Sequence, residues 1–171
     1  MTGRTASESA EEQRLYSYLR GLGIEAPVVP YPAHTSIEEG KRLRGSMSGT
    51  FTKNLLLQDK KGNLFFVTAF EDTAINLKTF HTTVGGHGRV GLARPETMAR
   101  VLHVEPGTVT PLALMNDTEN LVTLVVDSAL SDAEQLNFHP MVHTQSIGLT
   151  PDQFATFAAS CDKTPLVVDL T

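Results

Sequence analysis

The chain has 171 residues, 40% apolar and 19% charged, with a formal net charge of −5. This is the composition of an ordinary folded domain rather than a disordered segment, and its acidic balance excludes duplex binding through a general positive charge, though a local basic cluster is compatible with it. One cysteine, Cys161, excludes an intrachain disulfide and a zinc site of several thiolates. Residues 1–14 carry no apolar run and no stretch approaches a membrane span, so a single cytoplasmic domain over 1–171 is expected, with about the first eight residues poorly ordered.

In chain order, Ser9 and Glu12 have capping-box spacing ahead of Leu15, Tyr18, Leu19 and Leu22, which recur at helical intervals until Gly21 and Gly23. Pro27 and Pro30 restrict the extended piece Ile24–Tyr31 to an edge strand or irregular run. Ser36–Arg44 reads as a short helix capped by Ser36. Lys53–Gln58 and Leu64–Phe70 read as a hairpin joined by turn residues from Asp59 to Asn63. Asn76–Val84 reads as a helix stopped by Gly85-Gly86, Arg89–Leu92 as a strand, and Pro95–His103 as a helix with proline in its first turn. Pro111–Met115 and Leu121–Asp127 read as strands, the second buried at the sheet centre. Gln135–His139 and Ser146–Leu149 are shorter strands, Thr150 caps a helix from Pro151 to Ser160, and Leu166–Leu170 closes the chain as a strand. Strands and helices mix without a βα repeat, which predicts an α+β domain with a central mixed sheet flanked by helices.

Gly86-His87-Gly88-Arg89-Val90-Gly91 matches G-x-G-x-x-G, but that fingerprint requires a strand before it and a helix opening within it. Here a helix precedes it, and a helix stop followed by a turn accounts for the glycines. His139 and His143 have the spacing of a metal pair, but Pro140 disfavours a shared helix and the glutamate of H-E-x-x-H is missing. Two loop histidines, one of them functional, fit better. Cys161 follows Phe154, Phe157 and Ala158 and reads as a small hydrophobe. Lys53 stands at the mouth of the apolar strand Leu55–Leu57, where a lysine is ordinarily a solvated end. Asn54 lies beside it. Gly107–Pro111 is a glycine-to-proline loop able to bring backbone N–H groups close to a ligand. Lys41, Arg42 and Arg44 form a basic cluster, either a phosphate contact or a solvated helix end facing the macrodipole.

Thr52–Leu57 with Asp59–Gly62, then Val104–Pro111, Asn116-Asp117 and Asn137–Pro140 resemble, in order and spacing, the prolyl-tRNA editing family of YbaK/ProX-like trans-acting deacylases. The subgroup most similar is the free-standing Ala-tRNA(Pro) deacylases. The resemblance implies the editing-domain fold, no metal and no organic cofactor, and a substrate that is aminoacylated tRNA, read at its 3′ end and acceptor stem. It implies Lys53, His139 and Gly107 as the catalytic group. Lys53 would hold the terminal adenosine end, His139 would stand near the ester carbonyl, and the backbone at Gly107 would orient the ester. Asn54, Thr108, Pro111, Asp127 and Thr144 would bind substrate, and Lys41, Arg42 and Arg44 the tRNA. His143 departs from the asparagine of the subgroup. Prolyl-tRNA synthetase or an elongation factor is an expected transient partner, and DNA and membranes are not.

The implied reaction is hydrolysis of an activated ester, which positioned water and a stabilised oxyanion accomplish without a covalent nucleophile. The alternative is a catalytically silent tRNA- or synthetase-binding module of the same fold.

Overall fold

The computed structural model describes residues 6–30, 38, 39, 42 and 48–171, with side chains described from Ala10 onward. Its helices are α1 (Ala6–Gly21), α2 (Phe80–Val84), α3 (Pro95–Leu102) and α4 (Pro151–Ser160). The strands are β1 (Val28–Pro30), β2 (Thr50–Gln58), β3 (Leu64–Phe70), β4 (Gly91–Leu92), β5 (Val122–Asp127), β6 (Leu136–Phe138), β7 (Gln145–Leu149) and β8 (Leu166–Val168). They form one sheet in the order β1-β7-β6-β2-β3-β5-β8, with β4 added against β2. β2 is antiparallel to β3 and parallel to β6, while β3, β5 and β8 run parallel. The sheet is mixed and flanked by helices, the α+β arrangement that the sequence predicts.

Alternation along the strands divides the core in two. Leu56, Phe66, Leu124, Phe138 and Ile147 face a layer built from α1, α3 and α4. Leu57, Phe65, Val67 and Val125 face a smaller layer that includes Phe80, Val90 and Leu170. Lys53 shares the second face with Leu55 and Leu57, two and four residues along β2, whereas Asn54 shares the first with Leu56.

The hairpin forms where turn chemistry places it: Asp59 accepts from the backbone N–H groups of Lys61 and Asn63, and Gly62 takes φ 87°. Thr150 caps α4 through a reciprocal exchange with Gln153. Gly85 ends α2 in the left-handed region at φ 75°, and β4 rather than a helix follows the glycine-rich loop, so no dinucleotide fingerprint is built there.

Other readings are corrected. α1 begins at Ala6, so Ser9 lies inside the helix and not at its cap. Pro111–Met115 is no strand. Pro111–Asn116 is a 3₁₀ helix, begun by Pro111 and by the Thr110 hydroxyl accepting from Leu112 N–H at 3.3 Å. A short apolar run has no period that separates these outcomes. The Asn76–Val84 helix shrinks to Phe80–Val84, because Asn76 donates its N–H to Leu170 O and accepts from Lys78 N–H in a local turn. Of the Ser36–Arg44 helix, Glu38, Glu39 and Arg42 are helical, and Ser36, Lys41 and Arg44 lie outside the described residues. Among the described residues no helix is long and apolar enough to cross a membrane.

Candidate active site

One transverse row of the sheet carries most of the chemistry. Lys53 pairs with Ala69. The β3–β5 register, continued by one residue, brings Asp127 beside Ala69. On the other side β2 pairs with β6 through Phe51 and Asn137, and His139 follows two residues later, just past the end of β6. The Thr52 hydroxyl donates to Asn137 O at 2.9 Å and holds the two strands together at this point. Neighbouring strands lie about 4.8 Å apart, and Asp127 is two strands away from Lys53.

The half-buried Lys53 donates from Nζ to the carbonyl of Thr73. An ammonium has three donors, so two remain for a ligand. Thr73 is clamped in turn, its hydroxyl donating to Asp127 Oδ2 at 2.6 Å. Asp127, 2% exposed, also accepts from the N–H groups of Phe70 at 3.1 Å and Ala129 at 3.0 Å. Its carboxylate fastens the segment that carries the acceptor for Lys53.

His139 Nδ1 lies 3.0 Å from the carbonyl of Gln145. A carbonyl only accepts, so Nδ1 carries the hydrogen and the lone pair of the neutral ring is at Nε2. The turn between β6 and β7 also contains Thr144, whose buried hydroxyl makes no hydrogen bond among the described residues. His143 is half-buried in the same turn.

Asn54 lies on the opposite face of the sheet from Lys53. Its amide donates to the Thr52 hydroxyl at 3.2 Å and its carbonyl oxygen accepts from Thr68. The Gly107 loop belongs to that face too, since Val104 and Val109 on either side of it pack into the core there. Pro106–Thr108 is a 3₁₀ turn in which Glu105 and Thr108 exchange hydrogen bonds. Gly107 is exposed, and no heavy atom lies within 4 Å of where a Cβ would stand, which leaves its backbone open to approach. Thr108 and Pro111 are buried. The structure therefore joins Lys53 to Asp127 through Thr73, with His139 just past the end of the neighbouring β6, and sets Gly107, expected in the catalytic group, together with Asn54, Thr108 and Pro111 on the other face of the sheet. Arg42 is exposed, while Lys41 and Arg44 lie outside the described residues.

Thr73 escapes a reading of the sequence because it acts on Lys53 through its backbone carbonyl, which any residue supplies. Asn116-Asp117, a block of the resemblance, is structural. Asn116 donates to Leu102 O at 3.0 Å, and Asp117 accepts from the buried Lys163 at 2.6 Å. Burial raises the thiol pKa of Cys161 above its ordinary value, with hydrogen bonds from Tyr18 and Ser160 opposing, so the reactive thiolate is disfavoured. Among the described residues no three of His, Cys, Asp or Glu converge as a metal site.

A family model described as an aminoacyl-tRNA editing domain matches residues 31–157. The zebrafish (Danio rerio) prolyl-tRNA synthetase associated domain-containing protein 1 is 32% identical over 158 residues, covering 91% of this chain and 85% of that protein. The prolyl-tRNA editing protein ProX of Acetoanaerobium sticklandii is 26% identical over 140 residues, covering 81% and 85%. A crystal structure described as a candidate trans-editing enzyme for prolyl tRNA synthetase superposes with a TM-score of 0.73 at 19% identity, covering 99% of both chains. That likeness shows the fold.

Proposed function

The chain belongs to the aminoacyl-tRNA editing domain family, and from that membership we propose that it hydrolyses the ester of mischarged tRNA(Pro), removing alanine. The observation that carries this reading is the hydrogen-bonded chain from Lys53 through Thr73 to Asp127, with His139, held by Gln145, just past the end of the neighbouring β6.

In this mechanism the two remaining donors of Lys53 hold a phosphate oxygen at the 3′ end as a compact point charge. His139 Nε2 takes a proton from water as that water attacks the ester carbonyl, and the proton passes to the departing ribose oxygen. The unpartnered Thr144 hydroxyl binds the substrate. A buried hydroxyl without a partner costs about 1–3 kcal/mol, which a polar group of the substrate recovers. Asn54, Thr108 and Pro111 shape the site from the other face, and Asp127 acts through Thr73. Arg42, with Lys41 and Arg44, contacts the tRNA.

Selectivity in this reading is steric, the methyl group of alanine being accepted and the pyrrolidine ring of proline excluded. The test is deacylation of alanyl- and prolyl-tRNA(Pro) by the purified chain. Release of alanine supports the reading. Tight tRNA binding without release of any amino acid identifies a silent module instead.

A further inference from the structure

At the far end of β2 from its Lys53 half, the surface carries charge opposite to that of the molecule as a whole. Lys60 and Lys61 are exposed at the tip of the β2–β3 hairpin, and His87 and Arg89 are exposed on the loop beside it. Lys60 N–H donates to His87 O at 3.1 Å, joining the two segments. The Lys60 stem lies across Gly88, where a Cβ would stand 2.8 Å from Lys60 Cδ; glycine at φ 79° leaves room for it. The carboxylate in the turn, Asp59, is 6% exposed and turned inward. It accepts from the N–H groups of Lys61 at 3.0 Å, Asn63 at 2.9 Å and His87 at 2.8 Å, and from the Asn63 amide at 2.9 Å. Among the described residues no salt bridge includes Lys60, Lys61 or Arg89. Gly86 on the same loop packs against Phe65, which lies on the Lys53 face of the sheet.

We infer that this tip binds the sugar–phosphate backbone of a duplex RNA stem whose 3′ end reaches Lys53. The inference rests on the aminoacyl-tRNA reading and adds where the rest of the tRNA lies. Lys53 and Lys60 are seven residues apart, a span of about 23 Å at ~3.3 Å per residue. Phosphates follow one another every ~3.4 Å along a stacked strand, so the tip stands about seven phosphates from the esterified end. That distance passes the unpaired 3′ terminus and falls within the acceptor stem. Unpaired, exposed cations suit backbone contact, which carries no sequence information but displaces counterions.

The experiment measures binding of uncharged tRNA, and of a single-stranded oligonucleotide ending in CCA, across a salt series. It compares the wild-type chain with the triple variant Lys60→Gln, Lys61→Gln, Arg89→Gln, which keeps much of each aliphatic stem. Each lost phosphate contact removes about 0.9 from the slope of log affinity against log salt. Between 50 and 200 mM salt the wild type should therefore lose about fortyfold more affinity for tRNA than the variant, and the two should bind the oligonucleotide alike. An unchanged slope, or an equal loss on the oligonucleotide, overturns the inference. Neither readout requires hydrolysis, so a chain that binds in this way but releases no amino acid refutes the deacylase reading alone.

Discussion

Lys53 donates to a backbone carbonyl whose position is set by Asp127, so the orientation of its ammonium depends on a residue two strands away. Lys53→Ala should misplace the ester and lower single-turnover deacylation on the order of a hundredfold. Lys53→Arg should recover only part, because a planar guanidinium replaces a compact charge. Thr73→Val keeps the carbonyl but removes the hydroxyl held by Asp127, and should lower kcat/KM about tenfold with rescue by Thr73→Ser. A wild-type rate in Thr73→Val would show that the clamp does not orient Lys53. His139→Ala should spare tRNA affinity and reduce turnover by about a hundredfold or more, measured by a binding titration beside single-turnover kinetics. Asp59 gives a pH prediction. Burial raises its pKa, but hydrogen bonds from Asn63, His87 and Lys61 together outweigh that and lower it from 3.8 to about 2. A depressed carboxylate stabilises the fold fully above its unfolded pKa and loses that contribution as pH falls through its folded pKa. The gap in urea midpoint between wild type and Asp59→Asn should therefore narrow as pH falls from about 4 to 2. A constant gap would contradict the assignment.

Among the elements, α4 and the hairpin were legible because their signals are local. Thr150 and Gln153 are three residues apart, and Asp59–Asn63 holds its own turn. The Pro111–Asn116 helix was not legible, since an unbroken apolar run fits a buried strand equally well. Nor was it legible which face of the sheet Lys53 takes and which Asn54, because leucines follow on both faces of β2. The candidate site divides in the same way. Its residue types stood out in the sequence, but the Thr73 carbonyl and the Gln145 carbonyl behind Lys53 and His139 are backbone groups without a sequence signature. The Lys163–Asp117 pair was hidden by distance, its partners standing 46 residues apart. Lys163 also donates to Asn120 Oδ1 and Val122 O, both at 2.7 Å, and so ties the end of α4 to the start of β5. Lys163→Met leaves Asp117 buried without its cation and should cost about 3–5 kcal/mol in chemical denaturation. A loss below about 1 kcal/mol would mean that water replaces the ammonium.

For the whole molecule, a net charge of −5 coexists with a basic hairpin tip and a single lysine in the central row of the sheet. RNA binding should accordingly be local and strongly salt-dependent. The donor geometry also makes a prediction for the whole molecule, since no three metal-ligating side chains converge among the described residues. Deacylation should survive prolonged EDTA treatment, and loss restored by one added metal would contradict a mechanism built on Lys53 and His139. The central claim is that this row of the sheet releases a small amino acid from tRNA(Pro) and spares the cognate one. Its most direct test is single-turnover deacylation of tRNA(Pro) charged in parallel with alanine, serine, cysteine and proline. The account predicts fastest release of alanine and retention of proline; release of proline as fast as alanine would contradict it.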